Sequence, residues 1–215
     1  MSNENALREE ICRTARSMFE RGLTHGSTGN ISARLDDGWL LTPTGSSLGT
    51  LDPARLSKLD WSGALISGDQ PSKENFLHLA MYEERARAQA PAGAVVHLHS
   101  THSVAVSVLE DVDPADVLPP ITAYYVMRVG SLPLVPYFAP GDLKLADAVR
   151  RFADKHHAVL LANHGPVVAG TTLAAAADAT EELEQTAKLF LLLQGRRIRT
   201  LSEEQVRSLR DRHPV

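Results

Sequence analysis

Two histidines separated by one leucine, His97-Leu98-His99, are the sequence feature with the clearest chemical potential. They lie in the segment 94–99, whose apolar residues predict a β-strand, and residues i and i+2 of a strand point to one face of the sheet. Two imidazoles on one face can chelate a metal ion, whereas without an ion each buried ring needs its own hydrogen-bond partner. The alternative is a chance pair in which one histidine is exposed at the strand end.

A third histidine, His164, follows the apolar run 159–162 and precedes Gly165-Pro166. A histidine at a strand end beside a glycine turn can meet a site that another strand builds. The alternatives are an exposed turn residue and a hydrogen-bonded core histidine. Three histidine ligands would leave one coordination position open, which is typical of catalytic metal sites. Glu74 is the candidate general base, and its alternative role is a favourable charge at a helix N-terminus.

The other histidines are weaker candidates for metal binding. We expect His78 to lie on a helix face. His102 could contact the metal-ligating residues without binding the metal itself. The remaining four are predicted at a helix end, in the C-terminal tail and in a glycine loop where an anion could bind: His156, His157, His213 and His25.

Three short segments rich in glycine and hydroxyl side chains predict a phosphate site. They are Thr28-Gly29-Asn30, Thr44-Gly45-Ser46 and Ser72-Lys73. Backbone N–H groups in such segments are accessible to an anion. Ser72-Lys73 adds a helix N-terminus and a cation. Each segment alone is also an ordinary turn or cap, so the prediction depends on their occurring together with the three histidines.

Hydrophobic periodicity and turn residues predict the elements that must position these side chains. Helices are predicted over residues 4–21, 73–87, 102–109, 142–156, 172–194 and 202–211, and strands over 31–35, 39–42, 56–60, 64–67, 94–99, 119–128, 132–137, 158–163 and 167–169. Ser72 is the predicted N-cap of the second helix. Because hairpins dominate the strands, we expect one mainly antiparallel sheet covered by helices, in a single domain over residues 1–215.

Charge and composition exclude several classes of protein. A net charge of −4 and a pI near 6.1 argue against a general nucleic-acid binder, although a local pocket can still bind a small anion. The single cysteine, Cys12, allows no internal disulfide and is predicted to be a core residue. Neither a signal peptide nor a run of about 18 apolar residues is present. The sequence therefore predicts a cytoplasmic protein that binds no membrane.

Five motifs, in order along the chain, resemble the class II aldolase/adducin family. They are Thr28-Gly29-Asn30-Ile31-Ser32, Thr42-Pro43-Thr44-Gly45, Ser72-Lys73-Glu74, His97-Leu98-His99 and Asn163-His164-Gly165. The resemblance runs from about residue 5 to residue 205, and the ordered set is far more specific than any one motif.

The resemblance implies an α/β fold with three αβα layers, in which helices flank a mainly antiparallel central sheet. It also implies a homotetramer with sites near subunit interfaces. It implies Zn²⁺ on His97, His99 and His164, with Mn²⁺ or Co²⁺ as alternatives because ligand preferences overlap. In the family, the glutamate that matches Glu74 ligates the metal when substrate is absent and acts as acid and base when substrate is present.

Further segments resemble one branch of the family, the decarboxylases of 3-oxo-tetronate 4-phosphate. These segments are 42–49, 72–74, 97–101, 126–128 and 160–168. The family's sugar-phosphate aldolases more often have a serine in place of Lys73. Tyr124 is the best match to the proton-donating tyrosine of the aldolases, with Tyr125 close behind.

The resemblance implies a substrate with a carboxylate at C1, a hydroxyl at C2, a ketone at C3 and a phosphate at C4. Loss of carbon dioxide leaves electron density on C2 that the ketone takes up, and a bound cation stabilises such charge. Glu74 or Tyr124 then protonates C2 to give dihydroxyacetone phosphate. The phosphate is expected at Asn30, Thr44, Gly45, Ser72 and Lys73. Arg128 either reads the carboxylate or forms a structural salt bridge.

Three other functions remain open on the sequence. The nearest is an aldolase or 4-epimerase that acts on a phosphorylated ketose such as fuculose or ribulose phosphate. The second is a dehydratase of the same fold. The third is a binding module like the adducin head, against which the intact set of three histidines and Glu74 argues, because a binding module needs no open metal site.

Overall fold

A computed structural model of the protein describes residues 3–139 and 141–213. Its strands are β1 (Asn30–Leu35), β2 (Gly38–Leu41), β3 (Ser57–Leu59), β4 (Leu65–Ser67), β5 (Ala94–His97), β6 (Leu134–Val135), β7 (Ala158–Leu161) and β8 (Pro166–Gly170). They form an eight-stranded sheet in the order β4-β3-β2-β1-β5-β8-β7-β6. The pairing is antiparallel except between β6 and β7.

Helices cover both faces of the sheet. They are α1 (Asn3–Glu20), α2 (Asn75–Arg87), α3 (Thr101–Ser107), α4 (Ala123–Arg128), α5 (Lys144–Ala153), α6 (Leu173–Leu192) and α7 (Glu203–Arg212). Residues of α2 and α5 share one core cluster with the sheet, while residues of α1, α3, α4 and α6 share two clusters with its other face. The predicted α/β fold with three αβα layers and a mainly antiparallel sheet is confirmed.

The two covered faces explain why β7 is apolar at every position. In β7, Ala158 and Leu160 belong to the cluster beneath α6, and Val159 and Leu161 belong to the cluster beneath α2 and α5. A sheet with one solvated face would instead alternate apolar and polar residues. Packing of α1 against the sheet buries Cys12, so its prediction as a core residue is confirmed.

The strand predicted over residues 119–128 is wrong, because the chain forms α4 there. The run Tyr124-Tyr125-Val126 favours a strand by residue type. However, the side chain of Thr122 accepts a hydrogen bond from the backbone N–H of Tyr125 at 3.1 Å and caps the helix. Tyr125 and Val126 then pack into the core beneath α6 while Tyr124 faces outward, so tertiary packing decides the element.

Three predicted boundaries are also corrected. The strand predicted over 94–99 ends at His97, and only Leu134–Val135 forms a strand within 132–137. The helix predicted over 73–87 begins at Asn75, with Glu74 rather than Ser72 at the N-cap position. The Ser72 carbonyl accepts the N–H of Asn75 at 3.1 Å, which makes a turn immediately before the helix.

Three adjacent strands, β1, β5 and β8, have one of their ends at the same edge of the sheet. Asn30, the first residue of β1, pairs with His97, the last residue of β5. His97 also pairs with Val167, next to the first residue of β8. Because both pairings are antiparallel, the beginnings of β1 and β8 meet the end of β5. Within residues 3–139 and 141–213, no helix is long and apolar enough to cross a membrane.

Candidate metal centre and active site

Glu74, His97, His99 and His164 place four ligand atoms within 4.8 Å of one another. Nε2 of His99 lies 3.2 Å from Nε2 of His97 and 2.9 Å from Nε2 of His164. The two carboxylate oxygens of Glu74 lie 3.4 Å from Nε2 of His97 and 3.3 Å from Nε2 of His164. The structure thus brings together the four residues that sequence reasoning selected. We call them the metal cluster.

The chemistry of these donors fits a divalent cation. Nδ1 of His97 donates to the Pro166 carbonyl at 2.8 Å, so the lone pair of its Nε2 points into the cluster. The Nε2 atoms of His99 and His164 lie 2.9 Å apart, so their lone pairs would repel unless a proton or a metal ion lies between them. Three imidazole nitrogens and one carboxylate form a ligand set that suits Zn²⁺ and related ions.

Three of the four cluster residues, His99, His164 and Glu74, have the protonation state that binds a cation. Burial, together with the nearby His97, lowers the pKa of His99 to about 3 and that of His164 to about 4. Burial opposes a charge on His97, but the neighbouring Glu74 carboxylate outweighs it and raises the pKa of His97. Burial likewise opposes ionisation of Glu74, but His97 and Asn30 hold the pKa of Glu74 well below its usual value. At neutral pH the cluster therefore contains two neutral imidazoles and a carboxylate.

His99 reaches the cluster although it lies beyond the end of β5. Leu98, between the two histidines, is fully buried in the core on the α1 side of the sheet. A Cβ atom on Gly165 would lie 2.2 Å from the Leu98 carbonyl oxygen, and one on Gly29 would lie 2.9 Å from the His97 carbonyl oxygen. These two glycines let neighbouring chain segments lie directly against the backbone that carries both histidines.

His164 is directed into the cluster by a tight turn between β7 and β8. Its backbone N–H donates to the Leu161 carbonyl at 3.1 Å, and the N–H of Leu161 donates to the Gly165 carbonyl at 2.9 Å. Asn163, before it, has a φ of +56°, a left-handed conformation that asparagine tolerates better than most residues.

Asn30 and Ser72 hold Glu74 in place. The Asn30 amide nitrogen donates to Glu74 Oε2 at 2.9 Å and to the Ser72 hydroxyl oxygen at 3.1 Å. The Ser72 oxygen also accepts the backbone N–H of Glu74 at 3.3 Å. Because that oxygen already accepts twice, the hydroxyl proton of Ser72 is available to a ligand.

The other residues predicted for phosphate binding differ in their position relative to Asn30, Ser72 and Glu74. A β-bridge between Pro43 and Pro71 places the loop that carries Thr44 and Gly45 beside Ser72. Thr44, Gly45 and Lys73 are exposed. Gly29 packs against the 97–98 backbone as described above. The Thr28 hydroxyl donates to the His25 carbonyl at 2.6 Å, so this side chain is already used within its own loop.

Tyr124 is not among the residues that the structure brings together in the metal cluster. Its side chain is 62% exposed and lines a surface cavity together with Arg128, whereas none of the four cluster residues lines that cavity. Arg128 forms an ion pair with Asp178 at 2.9 Å, as the structural alternative for this residue predicts. Tyr125 is buried, and its hydroxyl donates to Asp116 at 3.2 Å, so it does not face the cluster.

Sequence reasoning missed Glu184, a carboxylate of α6 that anchors the start of α3. One oxygen accepts the backbone N–H and Nδ1 of His102 at 2.9 and 2.8 Å. The other accepts the backbone N–H and hydroxyl of Ser103 at 2.9 and 2.7 Å. Glu184 thus anchors the segment that follows His99, and the supporting role of His102 toward the metal ligands stays a prediction. No sequence signal links two residues that lie 82 positions apart.

Comparison with known proteins defines the class of this protein. Residues 9–191 match the family described as Class II Aldolase and Adducin N-terminal domain. The chain therefore belongs to the class II aldolase/adducin family.

Similar proteins within the family cover nearly the whole chain. The sequence is 52% identical to 3-oxo-tetronate 4-phosphate decarboxylase of Escherichia coli (strain K12), over 96% of both chains. It is 34% identical to L-fuculose phosphate aldolase of Haemophilus influenzae, over 95% of this chain and 92% of that one. The crystal structure of YgbL from Escherichia coli superposes with a TM-score of 0.92 at 50% identity, covering 96% of this chain and 99% of the other.

Proposed function

We propose that the protein is a metal-dependent decarboxylase that converts 3-oxo-tetronate 4-phosphate to dihydroxyacetone phosphate and carbon dioxide. Such a carboxy-lyase would act in the catabolism of four-carbon sugar acids, as a cytoplasmic enzyme with residues 1–215 as one domain. The observation that carries the proposal is the convergence of His97, His99, His164 and Glu74. The 52% identity to a decarboxylase of this substrate, against 34% to an aldolase, favours decarboxylation over aldol cleavage.

The proposed cofactor is Zn²⁺, with Mn²⁺ or Co²⁺ as alternatives. Nε2 atoms of His97, His99 and His164 would hold the ion, and Glu74 would be a further ligand while substrate is absent. When bound, the ion supplies positive charge that stabilises electron density developing on the substrate ketone.

The residues of the chain then have to deliver one proton to C2 of the substrate. Loss of carbon dioxide breaks the C1–C2 bond and leaves the electron pair on C2, which must gain a proton to give the product. Glu74 is ionised in the free protein, because His97 and Asn30 favour its charged form. It therefore has to take up a proton before it can donate one to C2. Tyr124 is the alternative donor.

Substrate phosphate is proposed to bind beside Glu74. Asn30 and Ser72 reach Glu74 directly, and the bridge between Pro43 and Pro71 sets the Thr44-Gly45 loop next to them. The proposal adds backbone N–H groups from Thr28, Gly29, Thr44 and Gly45 and the cationic Lys73. Small residues and hydroxyls at a helix start are well suited to a phosphate.

A homotetramer with sites near subunit interfaces is part of the proposal, on the resemblance to the family, and the exposure of Tyr124 is consistent with it. The Tyr124 side chain is 62% exposed on α4 and lines a cavity to which none of the four cluster residues contributes. We propose that Tyr124 serves the reaction from a neighbouring copy, at a site near a subunit interface.

The decisive experiment incubates the Zn²⁺-loaded protein with 3-oxo-tetronate 4-phosphate and follows carbon dioxide and dihydroxyacetone phosphate together. Equal amounts of the two products are expected. A parallel reaction contains fuculose 1-phosphate or ribulose 5-phosphate. Aldehyde release or epimerisation of these sugars, without carbon dioxide from the sugar acid, would overturn the proposal in favour of an aldolase or 4-epimerase. A protein that purifies without metal and turns over none of these compounds would favour a binding module.

A further inference from the structure

His78 is a fully buried histidine that lies on α2, one helical turn after Glu74. His78 lies on a helix, as predicted. It is on the face that packs against the core, because the residue is 0% exposed. Its ring stacks on Trp39 with an interplanar angle of 15°. No step of the proposed reaction involves this ring directly.

Both ring nitrogens of His78 are bound to side chains of β1. Nδ1 lies 2.7 Å from the hydroxyl oxygen of Ser32, and Nε2 lies 2.5 Å from Oδ1 of Asn30. The Ser32 hydroxyl in turn lies 2.8 Å from the hydroxyl of Tyr82, which is also buried. A continuous chain of hydrogen bonds thus runs from Tyr82 through Ser32, His78 and Asn30 to Glu74.

The direction of every bond in this chain is fixed from the Glu74 end. The Glu74 carboxylate only accepts, so the NH₂ group of Asn30 must face it, and Oδ1 of Asn30 must face His78. Nε2 of His78 therefore carries the hydrogen and donates. Nδ1 then accepts from Ser32, and Ser32 accepts from Tyr82.

His78 is a neutral ring throughout this arrangement. Burial and the nearby His97 lower the pKa of His78 to about 3. A neutral imidazole has one donor and one acceptor, which matches the two bonds that it makes.

We propose that His78 is a positioning residue for the proposed reaction: its Nε2–H fixes the Asn30 amide so that the NH₂ group faces Glu74 and Ser72. If the amide were turned over, its oxygen would face the Glu74 carboxylate at hydrogen-bond distance and repel it. Rotating the amide in this way would also place the Asn30 oxygen, an acceptor, where its NH₂ group donates to Ser72 beside the proposed phosphate site. His78 is the only described side chain that contacts Oδ1 of Asn30.

A pair of substitutions separates this role from simple core packing. In His78→Gln, the amide NH₂ takes the place of Nε2–H and can still donate to Asn30. In His78→Asn, the shorter amide can replace only Nδ1, and the donor to Asn30 is lost. We expect His78→Asn to lower kcat/KM by about 10- to 100-fold. The kcat/KM of His78→Gln should stay within about fivefold of the native value. Both His78→Asn and His78→Gln are expected to lower Tm by similar amounts.

Tyr82→Phe is the matched control. It removes the buried Tyr82 hydroxyl at the far end of the hydrogen-bond series, and Ser32 can still donate to His78. A lower Tm with kcat/KM within about threefold of the native value is expected. Metal content should remain that of the native protein in all three variants. The inference is overturned if His78→Asn and His78→Gln are equally active or equally impaired.

A second measurement uses the native protein and does not depend on how the variants fold. Ring-¹⁵N-labelled histidine allows the tautomer of His78 to be read by NMR, with His78→Gln or Tyr82→Phe used to assign its signal. A proton on Nε2 and none on Nδ1 is expected between about pH 6 and pH 8. A proton on Nδ1 would overturn the inference.

The inference rests on the proposed function, and the two can fail separately. If the native protein does not decarboxylate 3-oxo-tetronate 4-phosphate, the proposed function fails, whatever the tautomer of His78. If the native protein is active but the asparagine and glutamine variants do not differ, only the role of His78 fails.

Discussion

The edge of the sheet where β1, β5 and β8 meet differs sharply from the surface around α4. At the sheet edge, one chain alone brings four ligand atoms within 4.8 Å, and His97 is fully buried. On α4, Tyr124 is 62% exposed, and its neighbour Arg128 is held in an exposed ion pair. The difference teaches that the four candidate metal ligands meet within one chain, whereas the proposed proton donor on α4 is not among the residues gathered there.

The largest effect is expected from removing two cluster histidines. His97→Ala combined with His99→Ala leaves one imidazole and one carboxylate, which bind zinc far more weakly than the full set. Metal content measured by mass spectrometry should fall to background, together with activity. His25→Ala, in an exposed loop, is the control and should retain its metal. Stoichiometric zinc in the double variant would contradict the ligand assignment.

Glu74→Gln tests the chemistry at the same edge of the sheet. The three histidines remain, so the metal content should stay nearly native. Glutamine cannot take up and release a proton, so kcat should fall by about 10²- to 10⁴-fold. Single-turnover kinetics and metal analysis on the same preparation check this. A fully active variant would remove Glu74 from the mechanism.

Gly165→Ala tests whether close backbone packing assembles the cluster. The new Cβ would lie 2.2 Å from the Leu98 carbonyl oxygen, so the turn that carries His164 must move away from His99. We expect zinc affinity to fall by about 10- to 100-fold, as when the support of a metal ligand is lost. Gly26→Ala is the control for backbone strain without a clash, because Gly26 has a φ of +57° and its Cβ would have nothing within 4 Å; it should keep native zinc affinity. Unchanged affinity in Gly165→Ala would show that the packing does not set the ligand geometry.

Tyr124→Phe is expected to have the smallest effect and tests the α4 half of the comparison. Loss of the phenol should lower kcat by about tenfold and leave metal content unchanged. Mixing it with Glu74→Gln in one oligomer gives some sites with both native residues. Recovered activity in the mixture would show that Tyr124 acts in a neighbouring copy. If Tyr124→Phe has native kcat, this tyrosine is not the donor.

Much of the site could be predicted from the sequence because its ligands occur in short motifs. The spacing of His97 and His99, together with the glycine beside His164, is enough to indicate a metal site. Even here the physical reason was only partly correct. His99 does not lie on the strand; it reaches the cluster because Leu98 is buried and Gly29 and Gly165 permit close packing.

The remaining features depend on contacts between distant residues. His78 meets Ser32 and Asn30 across 46 and 48 residues, and Glu184 meets His102 across 82. No local pattern encodes such pairs. The helix α4 was missed for the same reason, since packing beneath α6 overrides the strand preference of its aromatic residues.

The central claim is that three histidines and Glu74 hold a cation on which decarboxylation depends. The most direct test measures carbon dioxide release from 3-oxo-tetronate 4-phosphate by the native protein, then after chelation and dialysis, and then after adding one equivalent of Zn²⁺ per chain. Activity should disappear on chelation and return with the ion. Undiminished carbon dioxide release by the metal-free protein would contradict the account.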